Sequence, residues 1–264
     1  MSHKIEIKHV SFEYDGKKGK FPALNDINIE IEKGEFICLL GNSGCGKSTL
    51  LSILSGLNKP TSGELFIDDN PVVGPGVDRA VVFQHYSLFP WLTAKGNVLF
   101  GIKQSGKKYK KEERSELANY YLKAVELFEA KDKYPNELSG GMQQRVAVAR
   151  ALALESDILL MDEPFGAIDP KLRLELQELV LKLSKNNGKT VVFVTHDIDE
   201  ALLLADRIFI MEPGKIKEEV VVDLKTPRKR EELVRTSKYQ ELYQRLFSLF
   251  YSRIKEDIYE ETML

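Results

Sequence analysis

The spacing of apolar and polar positions along this 264-residue chain changes several times, and each change predicts an element. Lys4–Val10 (KIEIKHV) and Ile27–Ile31 (INIEI) alternate with the two-residue period of half-buried strands, which predicts an antiparallel flank. Phe36–Leu40 (FICLL), Arg79–Phe83 (RAVVF) and Thr190–Val194 (TVVFV) are short apolar runs. Ile158–Met161 is unbroken, as in a strand buried on both faces of a parallel sheet. Helical spacing follows in residues 49–57 and in Met142–Leu154 (MQQRVAVARALAL). From Trp91 to about Pro135 the pattern is also helical, with Leu117, Tyr121, Ala124, Val125 and Phe128 on one face of a single helix. Beyond about Leu224 the chain is charged and helical, and the spacing of Tyr239, Tyr243, Leu246 and Phe247 predicts a packed face. The fold expected is α/β, with a central sheet, an antiparallel β flank and a helical insertion.

Candidate chemistry lies where these patterns break. FICLL ends at Gly41, and GNSGCGKST (Gly41–Thr49) fits G-x-x-x-x-G-K-[ST] on a strand-to-helix turn. Glycine permits positive φ, so successive N–H groups can point at one anion, and the next helix adds the positive end of its dipole. A polyphosphate is the expected ligand. Lys47 supplies a mobile charge for its β and γ phosphates, and the Ser48 hydroxyl is suited to Mg2+.

The second requirement of such chemistry is a carboxylate pair. Asp162 and Glu163 end the 158–161 strand, where ligands bind in open α/β sheets. Asp162 is the expected Mg2+ partner through water, and Glu163 the general base toward the attacking water. His196, after TVVFV and Thr195, is a candidate for hydrogen bonding a γ-phosphate. Gln84, after RAVVF, can touch both metal and water. A second glycine-rich segment, LSGGMQQR (Leu138–Arg145), opens a helix with a serine available, which is an anion site by construction.

Composition narrows the setting. A formal charge of −2 and an isoelectric point near 6.2 give no global reason to expect nucleic acid or lipid binding. Two cysteines, Cys38 and Cys45, make no disulfide framework and read as small apolar residues. With no cleavable signal and no apolar run of membrane-spanning length, a cytosolic chain is expected.

Together these segments resemble the ATP-binding subunits of ABC transporters, over roughly residues 3 to 225. Gly41–Thr49 looks like the Walker A loop, Gln84 the Q-loop, Leu138–Arg145 the signature, and Ile158–Glu163 the Walker B strand. Asp169 looks like the D-loop and His196 the switch histidine. The resemblance implies a P-loop NTPase ABC cassette with a mixed central sheet and a helical subdomain inserted at about 91–155. It also implies ATP with Mg2+, the metal being held at Ser48, Gln84 and Asp162, and turnover by Glu163, His196, Gln84 and Lys47.

The nucleotide would be shared by two copies. Gly41, Asn42, Ser43, Gly44, Cys45, Gly46, Lys47, Ser48 and Thr49 of one would face Ser139, Gly140, Gly141 and Gln143 of the other, so a second cassette, in a homodimer, is an expected partner. An aromatic residue upstream commonly stacks on adenine in this family; Tyr14 fits, with Phe12 the alternative. The chain is then a peripheral protein of the cytoplasmic membrane face, with no nucleic-acid partner.

The aromatic segment HYSLFPWLT (85–93) has two readings, packing within the helical subdomain or a groove for a permease helix. On the second, transmembrane permease subunits dock near residues 84–93, and an extracytoplasmic solute-binding protein is engaged indirectly. Strings such as GPGVDRAVVFQ, LFPWLTAKGNV, DEPFGAID and THDIDEALLLADRIFIM resemble importer ATPases for nitrate, sulfonate and taurine. Departures occur at His85 and Tyr86, where an acid often follows the glutamine, and at Ile168, where leucine is usual. An exporter ATPase or a soluble non-transport ABC ATPase remains the alternative. Residues 226–264 form a helical extension too short for the regulatory β-domain of sugar importers, and Arg228–Arg230 read as a solvated face.

Overall fold

Long strands open the chain as a hairpin: β1 (Ile5–Gly16) and β2 (Gly19–Ile31) pair from Ile5 with Ile31 to Gly16 with Gly19. Ile5 and Ile7 of β1 and Ile27, Ile29 and Ile31 of β2 are buried in the predicted alternation, and Val10 joins them after a register shift beyond Ile7. With β4 (Ser62–Ile67) and β5 (Asn70–Pro71) they make an antiparallel sheet in the order β2-β1-β4-β5. The computed structural model describes residues 3–16, 19–84, 86–166, 168–225 and 228–262, with side chains to 251.

The second sheet holds β3 (Phe36–Gly41), β6 (Arg79–Val82), β7 (Ile158–Asp162), β8 (Thr190–Thr195), β9 (Arg207–Glu212) and β10 (Lys215–Val221). Their order is β10-β9-β3-β8-β7-β6, parallel except where β10 returns against β9, so the sheet is mixed. Every residue of β3, β7 and β8 is buried, which explains their unbroken apolar runs.

Parallel neighbours require crossovers, and helices supply them. α1 (Lys47–Leu54) follows β3 directly. α2 (Ala94–Gln104), α3 (Lys111–Ala124) and α4 (Gly140–Ala153) lie between β6 and β7 in sequence, and α2 packs on both others. α5 (Pro170–Asn186) and α6 (Ile198–Leu204) flank β8, and α7 (Arg230–Leu233) and α8 (Ser237–Thr262) end the described chain.

Two expectations need correction. The single helix through Phe128 stops at Ala124, because Glu126 takes a left-handed φ of 54°. The Leu127 N–H then donates to Leu122 O at 2.8 Å and the Glu126 N–H to Lys123 O at 3.0 Å, the closure of a Schellman turn. Val125 is buried beyond the helix end, and Phe128 begins a separate 3-10 turn. The Arg228–Arg230 run is not uniformly solvated either. Arg228 is buried, and its guanidinium donates to the carbonyls of Leu202, Ala205 and Val222, the first two at the C-terminal end of α6. Those carbonyls have no partner within the helix, and a cation there also meets the negative end of the helix dipole.

Candidate active site

Adjacent strands β3, β8 and β7 all run the same way, so their C-terminal ends bring three segments together. They are the Gly41–Thr49 loop, Thr195 with His196, and Asp162 with Glu163. β6, beside β7, leads to Gln84, which is exposed.

The loop turns on Gly44 (φ 80°) and Gly46 (φ 108°), the latter capping α1. Lys47 is only 5% exposed. Its ammonium is folded across the loop, donating to Gly41 O at 2.7 Å and Asn42 O at 2.8 Å and lying 3.8 Å from Cys45 Sγ. Those carbonyls hold the cation where an anion would otherwise draw it. Burial pushes the thiols of Cys45 and Cys38 up, so both are protonated at neutral pH. Asn42, Ser43, Gly44 and Ser48 form the exposed rim, with Thr49 half-buried. Tyr14 lies against this helix start: its hydroxyl is 3.2 Å from Thr49 Oγ1, and its ring meets Phe12 edge-on at 4.8 Å. Tyr14 is the more exposed of the two.

Asp162 is buried, and that burial holds its carboxyl above the usual range, partly offset by a hydrogen bond from Ser48. Its Oδ1 has no hydrogen-bond partner. A buried carboxylate oxygen without a donor, beside a serine hydroxyl, is a hard-oxygen set that fits a divalent cation. Glu163 has a φ of 44°, costly for a residue other than glycine, and its Oε1 lies 3.3 Å from His196 Nδ1. Its N–H donates to Val194 O at 3.1 Å.

The other glycine-rich segment lies elsewhere. Ser139 caps α4, its Oγ accepting the Met142 N–H at 3.4 Å, with Ser139 and Gly140 exposed. The Gln143 amide is directed inward, donating to Pro135 O at 2.9 Å and Leu138 O at 3.1 Å. α1 packs on β2, β3, β7 and β8, whereas α4 packs on α2, α3 and β6. Asp169 caps α5 through the Leu172 N–H at 3.1 Å.

The aromatic segment divides. Phe89 packs inward, 4.5 Å from Phe100 and under the Arg150 guanidinium, while Trp91 remains 70% exposed. His85 lies outside the described residues. Fully buried Asn97 holds the intervening loop through Phe89 N, Phe89 O, Leu92 O and Thr93 O.

Sequence reasoning missed several buried polar groups. Gln144, 2% exposed, donates its amide to Glu163 O at 3.0 Å. Glu200, also buried, accepts from Thr195 at 2.6 Å and Gln177 at 2.9 Å, and burial holds its carboxyl up. The available signal was a glutamine at α4 spacing with Ala147, Val148 and Ala151, a polar residue in an apolar stripe. Also unanticipated is a cavity of about 290 Å3 between Asn42–Cys45, the end of β9 and Leu249–Phe250 of α8, which sets the C-terminal extension beside the loop. Among the described residues, no helix is long and apolar enough to cross a membrane.

Known proteins resemble this chain in sequence and in fold. Residues 24–166 match the family model described as ABC transporter. The nitrate import ATP-binding protein NrtD of Synechococcus elongatus is 43% identical over 243 residues, covering 91% of this chain and 89% of the relative. The nitrate transport protein NasD of Klebsiella oxytoca is 42% identical over 253 residues, covering 94% and 97%. A solved dimeric ATP-binding cassette in a post-hydrolysis state, bound to ADP and Pi, aligns with a TM-score of 0.78 at 38% identity, covering 84% of this chain and all of the other.

Proposed function

Because the chain belongs to the ABC transporter family, as one of its ATP-hydrolysing subunits of the importer type, we propose that two copies pair head to tail and drive uptake of a nitrate-like small anion through a separate permease. The observation that carries the hydrolytic part is the convergence of three adjacent strand ends on one place. Lys47 enters from β3, Asp162 and Glu163 from β7, and His196 from β8.

Each nucleotide is held between Gly41–Thr49 of one copy and the α4 N-terminus, Ser139–Gly141, of the other. Loop N–H groups and the α1 dipole bind the phosphates, drawing the Lys47 ammonium away from Gly41 O and Asn42 O. Tyr14 supplies the adenine face from its position above Thr49. Mg2+ would be held by Ser48 and Asp162 with Gln84, and would neutralise charge on the phosphate oxygens. Glu163 accepts the proton of the attacking water, and His196, 3.3 Å away, orients that carboxylate and donates toward the γ-phosphate. Closure of the pair pulls on the permease through Gln84 and the loop carrying Trp91, at the cytoplasmic membrane face. The domain proper runs over residues 1–225, with the helical subdomain at about 91–155 and the extension at 226–264.

Glu163→Gln tests this. The amide keeps the size but cannot take a proton, so ATPase of the full chain with its permease should fall by about 10²–10⁴-fold, with nucleotide trapped in a dimer. Steady-state turnover at the wild-type rate would sink the assignment.

A further inference from the structure

The Glu163 main chain is held from two sides. β8 takes its N–H, through Val194 O at 3.1 Å, and α4 reaches its carbonyl, through the Gln144 amide at 3.0 Å, the shorter of two hydrogen bonds there, the other coming from the Gly166 N–H at 3.4 Å. This is the residue whose backbone sits at a φ of 44°, a conformation that persists only where surrounding groups determine it. Gln144 is 2% exposed, so its contribution is not shared with solvent. It also stands on the helix that Ser139 caps, five positions from the serine, about 7.5 Å along a stiff rod.

We infer that Gln144 is a positioning residue that sets the Glu163 carboxylate according to the state of the α4 N-terminus. The inference rests on the reading that Glu163 is the base and that Ser139–Gly141 engage nucleotide on the opposite copy. A phosphate at the start of α4 moves or steadies that helix as a body, and the Gln144 hydrogen bond delivers the displacement to Glu163 O. The side chain 3.3 Å from His196 swings with its backbone. Each chain thereby links the two nucleotide sites of the pair, and a base displaced by about 1 Å costs on the order of 10²-fold in rate. The structural element is the N-terminal part of one rigid helix, which presents Ser139 to one site and, five residues on, Gln144 to the other, a physical rather than a statistical ground for coupling.

The test uses the full chain assembled with its permease. Gln144→Met keeps the length and volume of the side chain and removes the donor; Gln144→Leu is the second variant should the first misfold. The expected result is a fall in kcat of about tenfold or more, with KM for ATP within about twofold and the Hill coefficient for ATP reduced toward 1. In a Glu163→Gln background, ATP should still assemble the dimer as well as it does with Gln144 intact. A purely structural role would instead lower the unfolding midpoint and impair that assembly in step with kcat, and this outcome overturns the proposal. Unchanged kcat in a folded variant overturns it as well. If Glu163→Gln alone turns over normally, the underlying reading of the base fails; if Glu163→Gln is inactive and Gln144→Met is not, only the coupling fails.

Discussion

Gly44 and Gly46 stand two residues apart in the phosphate-binding loop, and the structure assigns them unequal costs. Both have positive φ, 80° and 108°, so alanine at either is strained, by about 1–2 kcal/mol. A Cβ on Gly44 would meet nothing within 4 Å. A Cβ on Gly46 would lie 2.8 Å from Ala23 O and 2.8 Å from Leu24 Cδ2. The first is backbone of β2 and the second a fully buried side chain, so neither yields easily. Overpacking of this kind adds about 1–3 kcal/mol. Gly46→Ala should then cost about 2–5 kcal/mol and Gly44→Ala about 1–2 kcal/mol. At about 2–4 °C per kcal/mol for a chain near this length, thermal unfolding should separate them clearly. Binding of a fluorescent ATP analogue should separate them further, because relief of the Gly46 clash moves the first N–H groups of α1. Equal shifts in Tm and equal losses of binding would refute the claim that close approach of β2, rather than backbone conformation alone, demands glycine at position 46.

Other expectations follow from particular contacts. Arg228→Met fills the space but leaves carbonyls of Leu202, Ala205 and Val222 without their charged donor. The loss should be about 3–5 kcal/mol in denaturant unfolding, and a change below about 1 kcal/mol would show a solvated guanidinium. Trp91→Ala should release the permease while ATP affinity is unchanged, since Trp91 is exposed and touches the fold mainly through Phe89; retained co-purification counts against the docking loop. Asp162 carries a pH signature. Burial holds its folded carboxyl above the ordinary aspartate value, so the folded state binds more protons than the unfolded chain, and cation-free protein loses stability as pH rises from that ordinary value through the folded pKa. Asp162→Asn should reduce that slope and abolish stabilisation by added Mg2+; an unaltered pH profile in the variant would exclude Asp162 as its source.

What the sequence could disclose was limited by the range of the forces involved. The parallel strands were legible because burial on both faces leaves no polar residue in β7 before its last position, Asp162, and the phosphate loop because backbone geometry demands glycine at set positions. Helix ends proved harder: Glu126 closes α3 with a left-handed φ usually supplied by glycine, so the apolar spacing ran on through Val125 to Phe128 with no punctuation. Arg228 looked like one of several charges, and only the tertiary fold brings three carbonyls to it.

The same limit explains why Gln144 escaped notice while Glu163 did not. A catalytic carboxylate is announced by its place at a strand end, a property of local sequence. A side chain that steadies it is defined by a partner 19 residues away, and from the sequence it differs from a solvent-facing glutamine only in sharing a helix face with Ala147, Val148 and Ala151. Buried amides are expensive unless their hydrogen bonds are made, so a glutamine at 2% exposure marks a position whose amide needs a partner in the fold. Since that contact joins the signature helix to the strained backbone of the proposed base, the cost of burying it is offset where the two half-sites must act together. Selection for packing alone would favour an apolar residue at position 144, which is the outcome that Gln144→Met would reveal if its stability rose while its turnover held.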